Sequence, residues 1–275
     1  MRKRTLILVT IWCLTRILFS QQQQADSTRL IDTPGQALSS DLKTRVEELA
    51  KLQKHFGKDM NSPGVELSLK EINRSRSTDR TLVTYSLFAT GFPQKAIFTL
   101  YQVDLDGSVV KILEHVTLDN QGQAICGGRG PICRENGPGD AVDLVVYGAK
   151  GEPKRFALAS EGEHVFKGFI AVIPFPNDVA DKSCKLQSVL GTSKGELMFI
   201  QGTGFESNSN LTITTQSYEE KHQYNTRADA NGFYFATLMP YVAGKKSGET
   251  RFEVKSRSCD PEIKFEWGEN SSHPE

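Results

Sequence analysis

Apolar and polar residues alternate, or apolar residues form short runs, along most of the chain after residue 62. Successive side chains of a strand point to opposite faces, so this period of two predicts β-strands rather than helices. Residues typical of turns separate the segments, and many short strands at such spacing indicate a sandwich or a barrel. The predicted strands are 81–88, 96–103, 109–118, 141–147, 169–173, 196–200, 210–215, 224–228, 233–238, 250–255 and 263–267.

The strands fall into two groups. Pro174 ends the first group, and a polar stretch follows it at 177–182. We therefore expect an all-β protein with two tandem immunoglobulin-like β-sandwiches, the first over 62–178 and the second over 179–269. Residues 270–275 form a polar tail.

The first 61 residues follow different patterns. A cationic start and the apolar run 5–15 are typical of a signal peptide at 1–20, because the run is too short to cross a bilayer as a helix. The alternative is that the N-terminal segment stays uncleaved. Only in that case do we expect the chain to be attached to a membrane. Residues 21–61 are a polar linker with a predicted amphipathic helix over 40–56, which either packs on the first sandwich or forms a short coiled coil. Its apolar stripe consists of Leu42, Val46, Leu49, Leu52 and Phe56.

Two turn signals occur twice in the sequence. A Gly-Phe corner lies at Gly91 and again at Gly204, and an Asp-containing turn that ends in glycine follows each corner, at 119–122 and at 229–232. Either duplication of one sandwich or convergence on common turn chemistry explains this repeat. Asn231 and Gly232 also predict a hairpin with a type I′ turn, whose two central residues both need a positive φ.

Cysteine usage agrees with export. Apart from Cys13 in the signal segment, the chain has four cysteines, an even number that indicates disulfides in an exported protein. Three connectivities are open, and the favoured one keeps each bond within one sandwich. Zinc sites need closer pairs of cysteines than this spacing offers. The favoured bonds join Cys126 to Cys133 and Cys184 to Cys259.

Charge excludes some classes of partner. The chain has 33 Lys and Arg residues and 33 Asp and Glu residues, so its formal net charge is zero. A neutral chain has no long-range field that attracts nucleic acid or an anionic membrane. We therefore expect no nucleic-acid partner.

The second sandwich carries a family resemblance. The corner Gly202-Thr203-Gly204-Phe205, the strand Leu211-Thr212-Ile213 and the turn at 228–233 resemble the IPT/TIG-type immunoglobulin-like domains of bacterial secreted and surface proteins. The first sandwich has Ala89-Thr90-Gly91-Phe92 and lacks the first glycine of that corner. The resemblance implies the sandwich fold, but such domains serve as spacers, adhesion modules and enzyme appendages, so it leaves the function open.

Three motifs invite a chemical interpretation. Ser193 lies in a G-x-S-x-G pattern, but a hydrolase elbow needs a helix after the serine, and a predicted strand follows here. The acidic stretch 104–107 resembles the start of a calcium loop but lacks the further ligands that such a loop needs. It is therefore interpreted as a hairpin turn. The alternative is a calcium site to which Asp119 or Asp140 contributes. The basic stretch 70–80 is interpreted as a solvated loop. We expect no enzyme activity, no metal site and no cofactor.

The leading functional hypothesis is a non-catalytic exported protein, extracellular or periplasmic, that binds a protein or glycan of the cell envelope. The Gly-rich loop between Cys126 and Cys133 is the candidate contact, with Arg129 and Arg134 as the contacting residues. The alternatives are a structural spacer, a remote serine hydrolase that uses Ser193, and a carbohydrate-binding module. The module would use the aromatic residues Tyr218, Tyr224, Phe233 and Tyr241.

Overall fold

The computed structural model describes residues 61–77, 80–93, 95–128, 132–133, 137–162, 165–269 and 271. These ranges contain sixteen strands and no helix, so none of their elements is a helix that could cross a membrane. All the strands lie in one compact unit. The predicted signal peptide at 1–20, the helix at 40–56, Arg129, Arg134 and all of the tail except Ser271 lie outside the described residues.

The first sandwich consists of two antiparallel sheets. One sheet has the order β1-β2-β6 and the other the order β5-β4-β3-β7-β8. Their strands are β1 (Glu66–Arg76), β2 (Thr81–Thr90), β3 (Phe98–Val103), β4 (Val109–Leu118), β5 (Ala124–Cys126), β6 (Asp143–Val146), β7 (Lys154–Ser160) and β8 (Lys167–Val172).

The second sandwich also consists of two antiparallel sheets. Their orders are β14-β11-β10-β9 and β13-β12-β15-β16. The architecture confirms the predicted all-β fold with two tandem immunoglobulin-like sandwiches. Its strands are β9 (Asn177–Asp181), β10 (Cys184–Leu190), β11 (Met198–Thr203), β12 (Asn210–Ser217), β13 (Glu220–Arg227), β14 (Tyr234–Leu238), β15 (Ser247–Lys255) and β16 (Glu262–Gly268).

Alternation along the strands builds each core. In β2, Val83, Tyr85 and Leu87 point inward and meet Phe98 and Leu100 of the opposite sheet. Each such side chain, once fully buried, contributes about 1.5–3 kcal/mol through the hydrophobic effect. In the second sandwich β16 alternates in the same way, with its three apolar side chains buried and its charged residues facing water. The predicted boundary between 178 and 179 falls inside β9, which pairs with β10 of the second sandwich.

The sequence prediction missed five of the described strands. Residues 70–76, interpreted as part of a solvated loop, belong to β1, an edge strand whose residues are mostly exposed and so lack an apolar pattern. Strand β7 was missed for the opposite reason. It lies inside the five-stranded sheet and has the run Phe156, Ala157 and Leu158 buried without alternation. The strands β5, β9 and β10 were missed as well.

The predicted type I′ hairpin at Asn231 and Gly232 is also wrong. The segment joins β13 of one sheet to β14 of the other, and only Gly232 has a positive φ, at 71°. The Asp229 carboxylate accepts hydrogen bonds from the amides of Asn231 and Phe233 at 2.7 and 2.9 Å. These bonds stabilise an Asx-type turn, which competes with the hairpin conformation.

The repeated Gly-Phe corner has the same geometry in both sandwiches. Gly91 and Gly204 have φ values of 77° and 79°, a conformation that glycine adopts readily. A Cβ atom on Gly91 would lie 1.8 Å from the Gly64 carbonyl oxygen, and one on Gly204 would lie 1.9 Å from the Ser183 carbonyl oxygen. Both corners therefore pack on the chain just before the strand that pairs with their own, since Gly64 precedes β1 and Ser183 precedes β10. This shared contact favours the duplication hypothesis.

Each sandwich contains one disulfide. Cys126, the last residue of β5, is bonded to Cys133 with their Cα atoms 6.0 Å apart. Cys184, the first residue of β10, is bonded to Cys259 with their Cα atoms 6.2 Å apart. These are the two pairs that keep each bond within one sandwich.

We expect the two disulfides to stabilise the fold unequally. The loop-closure cost that each bond removes from folding is about 4 kcal/mol for the sequence separation of 75 and about 2.5 kcal/mol for the separation of 7. Replacing Cys184 and Cys259 together by alanine should lower the free energy of unfolding more than replacing Cys126 and Cys133. Denaturant titration without reductant measures both losses, and the reverse order would contradict the expectation.

Candidate functional site

The disulfide-closed loop is fixed at its base. The Gly127 amide donates to the His115 carbonyl and the Gly139 amide to the Cys126 carbonyl, each at 2.7 Å. Cys133 forms an isolated bridge with Val142. The two arginines of the predicted contact, Arg129 and Arg134, lie outside the described residues, so their role stays a prediction.

The four aromatic candidates for carbohydrate binding have different surroundings. The hydroxyls of Tyr224 and Tyr234 are 2.9 Å apart, and burial raises the pKa of both phenols. Tyr218 donates its hydroxyl to a backbone carbonyl at 2.7 Å. Phe233 and Tyr241 expose 38% and 53% of their surface. Tyr224 is therefore part of a partly buried hydrogen-bonded pair. Tyr218 is 47% exposed although its hydroxyl is bonded, so three of the four candidates lie on the surface.

Ser193 lies in a tight turn. The Gly195 amide donates to the Thr192 carbonyl at 3.0 Å, and β11 begins at Met198. A nucleophile elbow places the serine between a strand and a helix, and here a strand stands where the helix is required. The surroundings of Ser193 are those of a β-turn.

Carboxylates considered as calcium ligands accept hydrogen bonds from residues close to them in the sequence. The Asp104 carboxylate accepts from the Gln102 amide at 2.6 Å and from the Ser108 hydroxyl at 3.2 Å. The Asp119 carboxylate accepts two amides of its own turn, at 2.8 and 2.9 Å. Within the described ranges, no three His, Cys, Asp or Glu side chains are grouped so that they could hold a metal ion.

The junction between the sandwiches is short and is held by specific contacts. Only residues 173–176 separate β8 from β9. Phe175, in this linker, is only 8% exposed and belongs to the core of the first sandwich. The Arg74 guanidinium lies 5.4 Å from the centre of the Phe175 ring, a cation–π contact. The linker is therefore anchored by its own aromatic side chain.

Arg74 holds the linker from the side of β1. One of its Nη atoms donates to the Pro174 carbonyl at 3.2 Å, and the guanidinium makes two 2.8 Å bonds to the Glu71 carboxylate. The Arg74 hydrogen bond holds the pKa of Glu71 below its ordinary value. The pair is well exposed, so its charges stabilise the fold little. Its bidentate geometry instead fixes where the guanidinium points.

A second set of bonds attaches the linker to the second sandwich. The Gly151 amide donates to the Phe175 carbonyl at 2.7 Å, and the Leu190 amide donates to the Gly151 carbonyl at 2.9 Å. The Asn177 side-chain amide donates to the Ser188 hydroxyl at 2.6 Å and to the Lys264 carbonyl at 2.8 Å. Gly151 thus bridges both sandwiches, and Asn177 joins two strands of the second.

A cleft of about 410 Å³ lies beside this junction. Tyr147, which is 49% exposed, stands at its edge with the Arg80 guanidinium 4.8 Å from the ring centre. Lys154 and Glu152 form an ion pair of 2.5 Å inside it. The Tyr147 ring is thus exposed between two cations, Arg80 and Lys154, an arrangement suited to a binding contact. The lining residues are Gln102, Val145, Val146, Tyr147, Gly148, Ala149, Glu152, Lys154 and Ser193.

The sequence prediction missed the junction. Its signal was the single aromatic residue between Pro174 and Pro176, which was passed over because the two prolines mark the end of a strand. An apolar side chain between two prolines is held in an extended segment, and it can pack on a neighbouring core. Arg74 gave no signal, because the linker residues that it contacts lie about 100 positions away in the sequence.

Comparisons with known proteins give likenesses of low identity and low TM-score, which carry no argument about this chain. No family model matches the chain, and no curated protein matches its sequence. A tetra-tandem repeat from the extending region of a large adhesion protein is 13% identical with a TM-score of 0.23, over 76% of this chain and 49% of that one. This chain therefore spans about half the length of that repeat.

Two other solved structures are similar at the same level. A two-domain fibronectin type III segment of chicken tenascin is 10% identical with a TM-score of 0.19, over 73% of this chain and 98% of that one. A bacterial ice-binding adhesin that is retained on the host cell surface is 8% identical with a TM-score of 0.21, over 75% and 65%. Membership of the IPT/TIG-type family stays a prediction.

We expect Phe175 to hold the two sandwiches together. Phe175→Ala removes a buried ring, so it should broaden the distribution of inter-sandwich distances in small-angle X-ray scattering. It should also lower the stability of the first sandwich by about 3–5 kcal/mol. Phe98→Ala, a fully buried position of the same core, is the matched control, and it should reduce stability without broadening. Equal scattering from both variants would contradict the role of Phe175.

Proposed function

We propose that this chain is a non-catalytic exported protein whose two sandwiches act as one stiff body that contacts another extracellular or envelope component. Two disulfides support export, because such bonds persist in oxidising compartments and are rare in the cytosol. The turn around Ser193 supports a non-catalytic role, since the strand after it stands where an elbow needs a helix.

The junction is the observation that carries the proposal. Adjacent domains in one chain move relative to each other by default, unless their interface is large and apolar. Here the linker has four residues, and one of them, Phe175, is inserted into the core of the first sandwich. Gly151 then binds both the linker and β10. A spacer or adhesion module benefits from such stiffness, because less orientational freedom is lost on binding.

The partner is proposed to be a protein or glycan of the cell envelope. The loop closed by Cys126 and Cys133 is its proposed contact, with Arg129 and Arg134 as the charged groups. The base of this loop is held by backbone hydrogen bonds and by a disulfide, so its ends are positioned in advance. Loops positioned by a rigid scaffold are common binding sites.

A pull-down tests this function. The bait is the oxidised fragment from Gln21 onward, exposed to solubilised envelope proteins and to a glycan panel. Specific capture is expected, and charge reversal at Arg129 and Arg134 should weaken it at least tenfold. The matched control reverses Lys221 and Lys255, two exposed cations of the second sandwich.

Each outcome of the pull-down has a clear meaning. Capture that the loop reversal weakens and the control leaves unchanged supports the proposed contact. Capture that survives the loop reversal removes Arg129 and Arg134 from the site and directs mutations to the junction cleft around Tyr147. No capture from either source contradicts the binding role and leaves a stiff spacer.

A further inference from the structure

The chain enters and leaves each sandwich through its terminal strands. In the first sandwich these are β1 and β8, and in the second they are β9 and β16. Tension applied along the chain therefore acts on these strands first. At the entry to β1, the Ser62 amide donates to the Lys167 carbonyl at 2.8 Å, and the Lys167 amide donates to the Ser62 hydroxyl at 2.9 Å.

The disulfide of the second sandwich removes most strands of that domain from the path of the force. Cys184 follows β9 by two residues, and Cys259 precedes β16 by two residues. A covalent bond between them transmits tension directly across a sequence separation of 75. Six strands, β10 to β15, lie within the closed loop and outside the path of the force. Only β9 and β16 remain in that path.

The disulfide of the first sandwich removes no strand from the path of the force. Cys126 and Cys133 are separated by 7 positions, and no strand lies between them. All eight strands, β1 to β8, are therefore in the path of a force that pulls on the chain. The buried Phe175 and its contact with Arg74 stand where this force passes from one sandwich to the other.

We infer that under tension the first sandwich is the extensible element of the chain and the oxidised second sandwich is the inextensible one. An extended chain spans about 3.5 Å per residue, so unfolding the first sandwich releases about 350 Å of chain. The second sandwich releases about 55 Å from the segments outside its disulfide. The use of this difference in a surface tether rests on the proposed function, whereas the force response itself does not.

Single-molecule force spectroscopy on the full chain, held at its two ends in oxidising buffer, tests the inference. The wild-type protein should give one large length increment of about 350 Å. Replacing Cys184 and Cys259 by serine should turn the small increment of the second sandwich, about 55 Å, into a second large one of about 320 Å. Replacing Cys126 and Cys133 is the matched control, and it should lengthen the first increment by only about 20 Å.

The wild-type measurement tests the inference even if the variant with Cys184 and Cys259 replaced by serine fails to fold. Two large increments from the oxidised wild-type chain would overturn the inference. Cys184 and Cys259 are buried in the folded domain, so a reductant should reach their bond only after force has pulled β9 and β16 away. Its cleavage under force should then release about 260 Å more chain, and an unchanged trace in reductant would also overturn the inference. The pull-down result has no bearing on these traces, so failure of the proposed function and failure of the inference are distinguishable.

Discussion

Burial of the Phe175 ring in the core of the first sandwich is the contact on which the relation between the two domains depends. The ring lies two residues before β9, so fixing it also fixes where the second sandwich begins. Arg74 covers the ring and binds the neighbouring carbonyl, while Gly151 connects the Phe175 carbonyl to β10. Each of these bonds is modest alone. Together they act within a linker of four residues, which leaves the chain little freedom to turn.

The sandwich fold could be predicted because alternation reports directly on a two-faced strand. It succeeded at β12, whose buried residues Leu211, Ile213 and Thr215 alternate with more exposed ones, and at β16. It failed at β1 and β7, because an exposed edge strand and a strand buried on both faces do not alternate. The pairing of the cysteines was favoured by keeping each bond local to one domain. The turn at Gly232 was misjudged, because Asp229 forms bonds that the type I′ pattern ignores.

The candidate site could be predicted only in part. The Cys126–Cys133 loop follows from composition and spacing, but the junction depends on tertiary contacts. Arg74 meets a carbonyl 100 positions away in the sequence, and no local pattern encodes such a contact. Tyr224 shows the same limit, since its buried partner Tyr234 lies in the facing sheet. Local periodicity therefore predicts the two sandwiches, whereas the contacts that join them depend on side chains far apart in the sequence.

The most direct test of a stiff junction is the set of backbone amide residual dipolar couplings of the whole protein in a weakly aligning medium. The couplings of 66–172 and of 177–268 are fitted separately to give one alignment tensor for each sandwich. A stiff junction predicts two tensors with the same magnitude and the same orientation in the frame of the structure. Tensors of clearly different magnitude would show that the sandwiches reorient independently, and would contradict the account.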